Sequence, residues 1–168
     1  RGPGWRFLDL GRRLERALHL ISLLRGSRLA ETDPLDEYRV VPVLEVLLEL
    51  GESVLTYRRL YYTPPQTSSV LDLLLLDDSN PRSLRFQLDA MSQHLQALPD
   101  APGPMAAARA PAVAARAVVE QAIGSLLVPF TQHPEALGPA LSHLANALPE
   151  VSNLLAHAYF SHAFARSA

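Results

Sequence analysis

Apolar residues recur at helical spacing in almost every segment of this sequence, and this periodicity restricts the fold more than any other feature. Between Trp5 and Gly26 they fall three and four residues apart, which places them on one side of a helix. No segment alternates polar and apolar residues as a half-buried strand does, and no Asn-Gly or Asp-Gly turn is present. The sequence therefore predicts an all-α fold, a helical bundle of about six helices.

Prolines, glycines and polar turns separate the predicted helices. Pro42 lies inside the second of them, where we expect a kink or a later start. The run from Val70 to Leu76 is rich in Leu rather than Val or Ile, which favours a short buried helix over a strand. Asn80 and Pro81 suit the N-cap and first position of the next helix. The predicted helices cover about 5–26, 34–62, 70–76, 81–98, 105–130, 134–148 and 150–166.

Composition excludes several kinds of chemistry. All 15 basic residues are Arg, so a Schiff-base lysine and a phosphate-loop lysine are absent. Cys is absent as well, which excludes disulfides, thiolate catalysis and cysteine-based metal sites. The net charge of −2 gives no argument for nucleic acid, and the longest uncharged stretch, 151–165, is too short and too polar for a bilayer span. We therefore expect a cytoplasmic protein without a nucleic-acid or membrane partner.

The densest polar cluster lies in the first predicted helix. Arg12 stands three residues before Glu15 and four before Arg16, so these side chains project from adjoining positions. Glu15 lies near the edge of the apolar face, where a partly desolvated carboxylate needs a cationic partner such as Arg12, Arg16 or an Arg of the second helix. Three interpretations stay open: a structural salt-bridge network, a clamp for a carboxylate or phosphate ligand, and acid–base catalysis by Glu15.

Two later segments add polar residues to this cluster. Glu52 and Arg58, on the second predicted helix, are the expected partners of the first cluster across the helix pair. Arg82 lies at the predicted start of the helix after Asn80, where free backbone amides suit an anion, although simple helix capping explains the same pattern. The histidines are isolated or, as with His157 and His162, lie off one helical face, so we predict no metal site.

Four segments, in order, resemble the bacterial alpha-E family, a helical family with a Glu-Arg motif. The resemblance extends over nearly the whole chain of 168 residues, which we treat as a single helical domain. The family's full domain is roughly double this length and carries an earlier Glu-Arg motif, so the chain resembles the C-terminal half of that domain, excised from a longer protein. The matching segments are Arg6–Ala17, Glu52–Arg58, Val70–Asp77 running into Asn80–Leu84, and Tyr159–His162.

The resemblance implies a context rather than a mechanism. Family members are found beside, or fused to, circularly permuted ATP-grasp proteins, which form amide bonds from acyl phosphates, and often near transglutaminase-like proteins. It implies an accessory domain of an ATP-grasp amide-ligase or peptide-modification system, which binds the ligase or positions its substrate. ATP and Mg are then expected only on the ATP-grasp partner, and no cofactor on this chain.

The alternative is an enzyme or anion-binding subunit that uses the Arg/Glu cluster on a carboxylate or phosphate. Whether the chain is an enzyme stays open, and no catalytic residue is assigned. The resemblance transfers Arg12, Glu15, Arg16 and Arg82 as motif residues only.

Overall fold

The computed structural model describes residues 2–29, 37–100, 109–128, 130 and 133–160, and every regular element within these ranges is helical. The all-α prediction is confirmed. A single π-helical turn, Asp72–Leu76, continues directly from α4, and a short 3₁₀ turn, Pro134–Ala136, precedes α7. The α-helices are α1 Pro3–Gly26, α2 Glu37–Leu50, α3 Val54–Leu60, α4 Thr67–Leu71, α5 Leu84–Gln96, α6 Arg109–Ser125 and α7 Leu137–Tyr159.

The main body of the bundle consists of α1, α5 and the α6–α7 pair, which pack on one another around a common core. Ile21 of α1, Met91 of α5, Val119 of α6 and Leu144 of α7 are all fully or almost fully buried in it. The shorter α2, α3 and α4 lie together at one side, where α2 also contacts α1 and the π turn contacts α5. No helix of the described residues is sufficiently long and apolar to cross a membrane.

The single helix predicted over 34–62 is wrong, because the chain breaks between α2 and α3. A Cβ on Gly51 would meet the Leu47 carbonyl oxygen at 2.8 Å, so only Gly fits this close approach. Glu52 then adopts a φ of 50°, in the left-handed region that interrupts a right-handed helix. The break turns α3 relative to α2, and Leu55, predicted to face the core, is 81% exposed. The predicted start at Asp33 and Pro34 lies outside the described residues.

Two predicted helices at the C-terminal end form one helix, α7, in which Pro149 is accommodated internally. Proline removes one backbone hydrogen bond and usually ends a helix. Here the apolar stripe continues without a phase change on both sides of it, from Leu148 to Val151, and both residues are buried. Core packing along this stripe therefore outweighs the local cost of the proline. The buried residues of α7 are Leu137, Leu141, Leu144, Leu148, Val151, Leu155 and Ala158.

The predicted short buried helix over 70–76 is confirmed as the end of α4 and the π turn, with Leu73 and Leu74 fully buried. The predicted N-cap at Asn80 is wrong, since α5 begins at Leu84. Ser83 caps it instead, and its hydroxyl accepts a hydrogen bond from the Phe86 amide at 3.0 Å. Asn80 is withdrawn from capping because its side chain is buried against other elements.

Candidate functional site

A buried amide joins the α2–α3 break to the segment before α5. The Asn80 side chain is 1% exposed, and its Nδ2 donates to the Ser53 hydroxyl at 3.2 Å and to the Leu73 carbonyl at 3.0 Å. Its Oδ1 accepts from the Arg82 backbone amide at 3.1 Å. These bonds fix the neighbours of Ser53 and Asn80 side by side, so Glu52 and Arg82 form an ion pair, Oε2 to Nη2, at 2.5 Å.

This ion pair forms one wall of an open groove of about 270 Å³, which we call the charged groove. The opposite wall is α1, which contributes Glu15 and Arg16. Both of these side chains are exposed, and neither makes an ion pair or side-chain hydrogen bond with any residue that the structure describes. The lining residues are Glu15, Arg16, His19, Leu20 and Leu23 of α1, Leu50, Gly51 and Glu52 at the break, and Arg82 and Gln87 beside and on α5.

Four of the six sequence-predicted site residues thus meet in the charged groove, and two do not. Arg12 lies exposed on α1 and is not part of the groove. Arg58 lines a separate groove between α2, α3 and the Pro64–Pro65 segment, with Glu45 and Glu49 nearby. Glu52 and Arg58 were expected to act together, but the break at Gly51 separates them because Glu52 precedes α3 rather than sharing a face of one helix with Arg58.

The buried ionic cluster of α1 involves residues that the sequence interpretation did not select. Asp9, not Glu15, is the buried carboxylate, at 7% exposure. Its Oδ2 accepts from His94 Nε2 at 2.7 Å and from Arg13 Nε at 3.1 Å. Arg13 also donates to the Gln87 side-chain oxygen at 3.3 Å. The prediction of a desolvated, Arg-paired carboxylate on α1 therefore holds for Asp9, whereas for Glu15 it is wrong because that side chain is exposed.

Burial and hydrogen bonding act in opposite directions on Asp9. Burial alone raises the pKa of its carboxyl group, but the hydrogen bonds from His94 and Arg13 and the charge of Arg13 outweigh it, so the pKa of Asp9 lies below its ordinary value. Trp5 packs edge-on against the His94 ring with 5.2 Å between centroids. The cluster is fully engaged in joining α1 to α5, and we assign it a structural role.

A sequence signal for half of this cluster exists. Asp9 and Arg13 are four residues apart, the spacing at which opposite charges pair along a helix. The position of His94, 85 residues further along the chain, carries no such signal. Gln87 links the two polar systems, because it is bonded to Arg13 and also lines the charged groove.

The charged groove is equipped for binding rather than for proton transfer. It presents two carboxylates and two guanidinium groups, and the Glu52 side chain is 63% exposed. Acid–base catalysis usually depends on desolvated groups whose pKa values are shifted, and these carboxylates stand in water. Within the described residues, no group of three His, Asp or Glu side chains is placed to hold a metal ion.

Comparisons with known proteins give a family and no described relative. A family model described as a predicted alpha-helical domain with a conserved ER motif matches residues 1–160. Uncharacterized proteins of Mycobacterium bovis and of two strains of Mycobacterium tuberculosis are each 35% identical to the chain over 100 residues. That segment is 60% of this chain and 11% of each relative, so the chain spans about a tenth of the curated relatives' length. No solved structure matches.

Proposed function

The chain belongs to the Alpha-E family, and from this membership we propose that it is an accessory helical domain of an ATP-grasp amide-ligase or peptide-modification system. It binds the ligase or positions the substrate that the ligase modifies. ATP and Mg belong to the ATP-grasp protein, which is either a separate chain or a domain fused to this one. A transglutaminase-like protein is a further partner under the same proposal.

The observation that carries this proposal is the charged groove. Glu15 and Arg16, the only adjacent Glu-Arg pair in the chain, face Glu52 and Arg82 across it. Charged side chains that are exposed and preorganised at the edge of a rigid bundle suit recognition of a polar partner or substrate. The role of a small part within a large protein agrees with this, because the aligned segment is 11% of each mycobacterial relative.

An enzyme or anion-binding subunit is the alternative, and the same groove is where it would act. The two guanidinium groups of Arg16 and Arg82 favour a carboxylate or phosphate. Glu15 and Glu52 oppose a purely anionic ligand, because they place two negative charges in the same groove. This balance favours the accessory, substrate-positioning role over a phosphate site.

The test is ATP turnover by the ATP-grasp protein of the same host, measured with and without this chain. We expect the chain to co-purify with the ligase and to raise its substrate-dependent ATP turnover. The double variant Glu15→Gln/Arg16→Gln should keep the wild-type melting temperature and lose most of that stimulation. A matched double variant outside the groove, Arg25→Gln/Glu120→Gln, should behave as wild type. No complex and no change in turnover would contradict the proposal.

A further inference from the structure

The charges of the groove sum to zero, and their arrangement points to a ligand that carries both signs. Glu15 and Arg16 are consecutive helix residues, and consecutive side chains project about 100° apart instead of facing each other. They therefore do not neutralise one another, and neither is paired with any described residue. One carboxylate and one guanidinium group stand ready at the same groove for a ligand's cation and anion.

Glu52 and Arg82, on the opposite wall, already satisfy each other. Their ion pair is partly exposed, with 39% of the Arg82 side chain and 63% of the Glu52 side chain accessible. A lone anion would meet Arg16 and Arg82 but also two carboxylates, whereas a lone cation would meet the converse arrangement. A molecule with an ammonium group and a carboxylate group contacts both walls without leaving a like charge unopposed.

The size and the apolar floor of the groove define the ligand further. Its volume of about 270 Å³ lies just below the roughly 300–1,000 Å³ typical of sites for drug-sized ligands. That space suits an amino acid or a dipeptide and is too small to enclose a nucleotide. Leu23 and Leu50 line the same groove, and Leu50 is 52% exposed, so an aliphatic ligand side chain would cover apolar surface there.

We propose that the charged groove binds a small zwitterion, an α-amino acid or short peptide with an apolar side chain, with the ligand's ammonium group on Glu15 and its carboxylate on Arg16. This inference deepens the proposed function and rests on it for the use of the ligand, which would be an amine acceptor or a product of amide ligation. The binding step itself involves only this chain, and it is testable without a ligase.

The experiment is a titration of the isotope-labelled 168-residue chain at neutral pH, followed by the amide NMR signals of Glu15, Gly51 and Glu52. L-leucine is the first probe and leucyl-leucine the second, and the remaining standard amino acids follow in turn. L-leucinamide lacks the carboxylate, and 4-methylpentanoate lacks the ammonium group. We expect a zwitterion to shift these signals and both single-charge analogues to bind at least roughly tenfold more weakly.

Variants separate the groove from the rest of the surface. Glu15→Gln and Arg16→Gln should each weaken zwitterion binding by roughly tenfold while leaving the thermal unfolding curve unchanged, because both side chains are exposed. Arg25→Gln and Glu120→Gln, exposed and outside the groove, should bind as wild type. Tighter binding of leucine than of leucyl-leucine would identify a free amino acid as the ligand, and the reverse order would identify a peptide.

Two results would overturn this proposal. One is the absence of shifts with every amino acid and with the dipeptide at concentrations of tens of millimolar. The other is equal binding of leucine, leucinamide and 4-methylpentanoate, which would show that only one charge or none is recognised. Zwitterion binding combined with no effect on a ligase would leave the groove assignment intact and would contradict only the proposed function.

Discussion

At the scale of single residues, α1 separates its charges into two groups with different roles. Asp9 and Arg13 are largely buried and bonded to His94 and Gln87 of α5. Glu15 and Arg16 are exposed and face the charged groove. A buried, bonded charge contributes to stability and is costly to remove, whereas an exposed charge is available to a ligand at little cost to the fold.

Asp9 gives the fold a dependence on pH. Because its folded-state pKa is lowered, it stabilises the protein above the unfolded-state pKa, and this contribution is lost as the pH falls through the lower folded value. Asp9→Asn should reduce the free energy of unfolding at pH 7 by roughly 2 kcal/mol. The loss should shrink as the pH falls from about 4 toward 2. Urea unfolding at a series of pH values measures both effects.

The control for Asp9 is Asp89→Asn on α5. Asp89 pairs with Arg85 four residues away, but about a third of each side chain is exposed. Such surface pairs contribute about 0–1 kcal/mol, so this variant should remain close to wild type in stability. An Asp9→Asn protein as stable as the Asp89→Asn protein would contradict the structural role of the buried cluster.

Glu52 occupies a backbone conformation that side chains disfavour. With a φ of 50°, it stands in the left-handed region, where a Cβ costs roughly 1–2 kcal/mol and Gly is free of that cost. Glu52→Gly and Glu52→Ala both remove the ion pair to Arg82, but only Gly relieves the strain. The Gly variant should be more stable than the Ala variant by about 1 kcal/mol in chemical unfolding. Equal stabilities would show that the conformation carries no strain.

The residues of the site were partly predictable from the sequence. Glu15, Arg16, Glu52 and Arg82 were selected because charged side chains cluster at helical spacing, and the fold brings these four together. The identity of the buried carboxylate was not predictable, because the partner that buries it, His94, comes from a helix far along the chain. Helical spacing reports which face a residue occupies and gives no information on which helix packs against that face.

At the scale of elements, the site depends on the connection between the α2–α3 break and the segment before α5. Ser53 and Asn80 are both buried, and the Asn80 side chain has a partner for each of its polar atoms. A buried amide in this position is sensitive, because truncation leaves the Leu73 carbonyl and the Arg82 amide without their partners.

Asn80→Ala should lower the free energy of unfolding by roughly 2–3 kcal/mol, the cost of unsatisfied buried polar groups. It should also shift the NMR signals of Glu52, because the Ser53 contact that positions the break is lost. Asn153→Ala on the exposed face of α7 is the matched control, and it should unfold as wild type does. A mild effect of Asn80→Ala, equal to that of the control, would contradict the connecting role.

Prediction of elements failed where backbone geometry or core packing overrode a local signal. The stripe through Leu47 and Leu50 appeared to continue into α3, since a Gly within a helical pattern is usually tolerated. The close approach of Gly51 to Leu47 decides the break, and that contact forms only in the folded chain. Pro149 misled in the opposite direction, because its helix-breaking signal is weaker than the continuous buried stripe on both sides of it.

At the scale of the whole molecule, charge chemistry and core support are divided between two parts of the chain. Every lining residue of the charged groove lies between Glu15 and Gln87. The α6–α7 pair contributes buried Ala, Val and Leu side chains that pack on α1 and α5 from the other side. The pair therefore supports the helices that present the groove without forming any of its walls.

A core substitution in α7 should consequently affect stability and spare the site. Leu148→Ala, at a fully buried position, should lower the free energy of unfolding by about 2–5 kcal/mol. In the folded protein the amide NMR signals of Glu15 and Glu52 should keep their wild-type positions, because neither residue lies near the cavity that the substitution creates. Large shifts at those residues would show that the groove and the α6–α7 pair are coupled.

The π turn at Asp72–Leu76 has a consequence for how this chain can change over evolutionary time. Its defining hydrogen bond runs from the Asp77 amide to the Asp72 carbonyl, which accommodates one more residue in the turn than an α-helix does. Deleting one residue would restore ordinary helical geometry and rotate everything that follows by about 100°. Asn80 would then lose Ser53, 27 residues away, and Arg82 would leave Glu52. We therefore expect lineages of this protein to substitute groove side chains more freely than they insert or delete residues between Ser53 and Asn80.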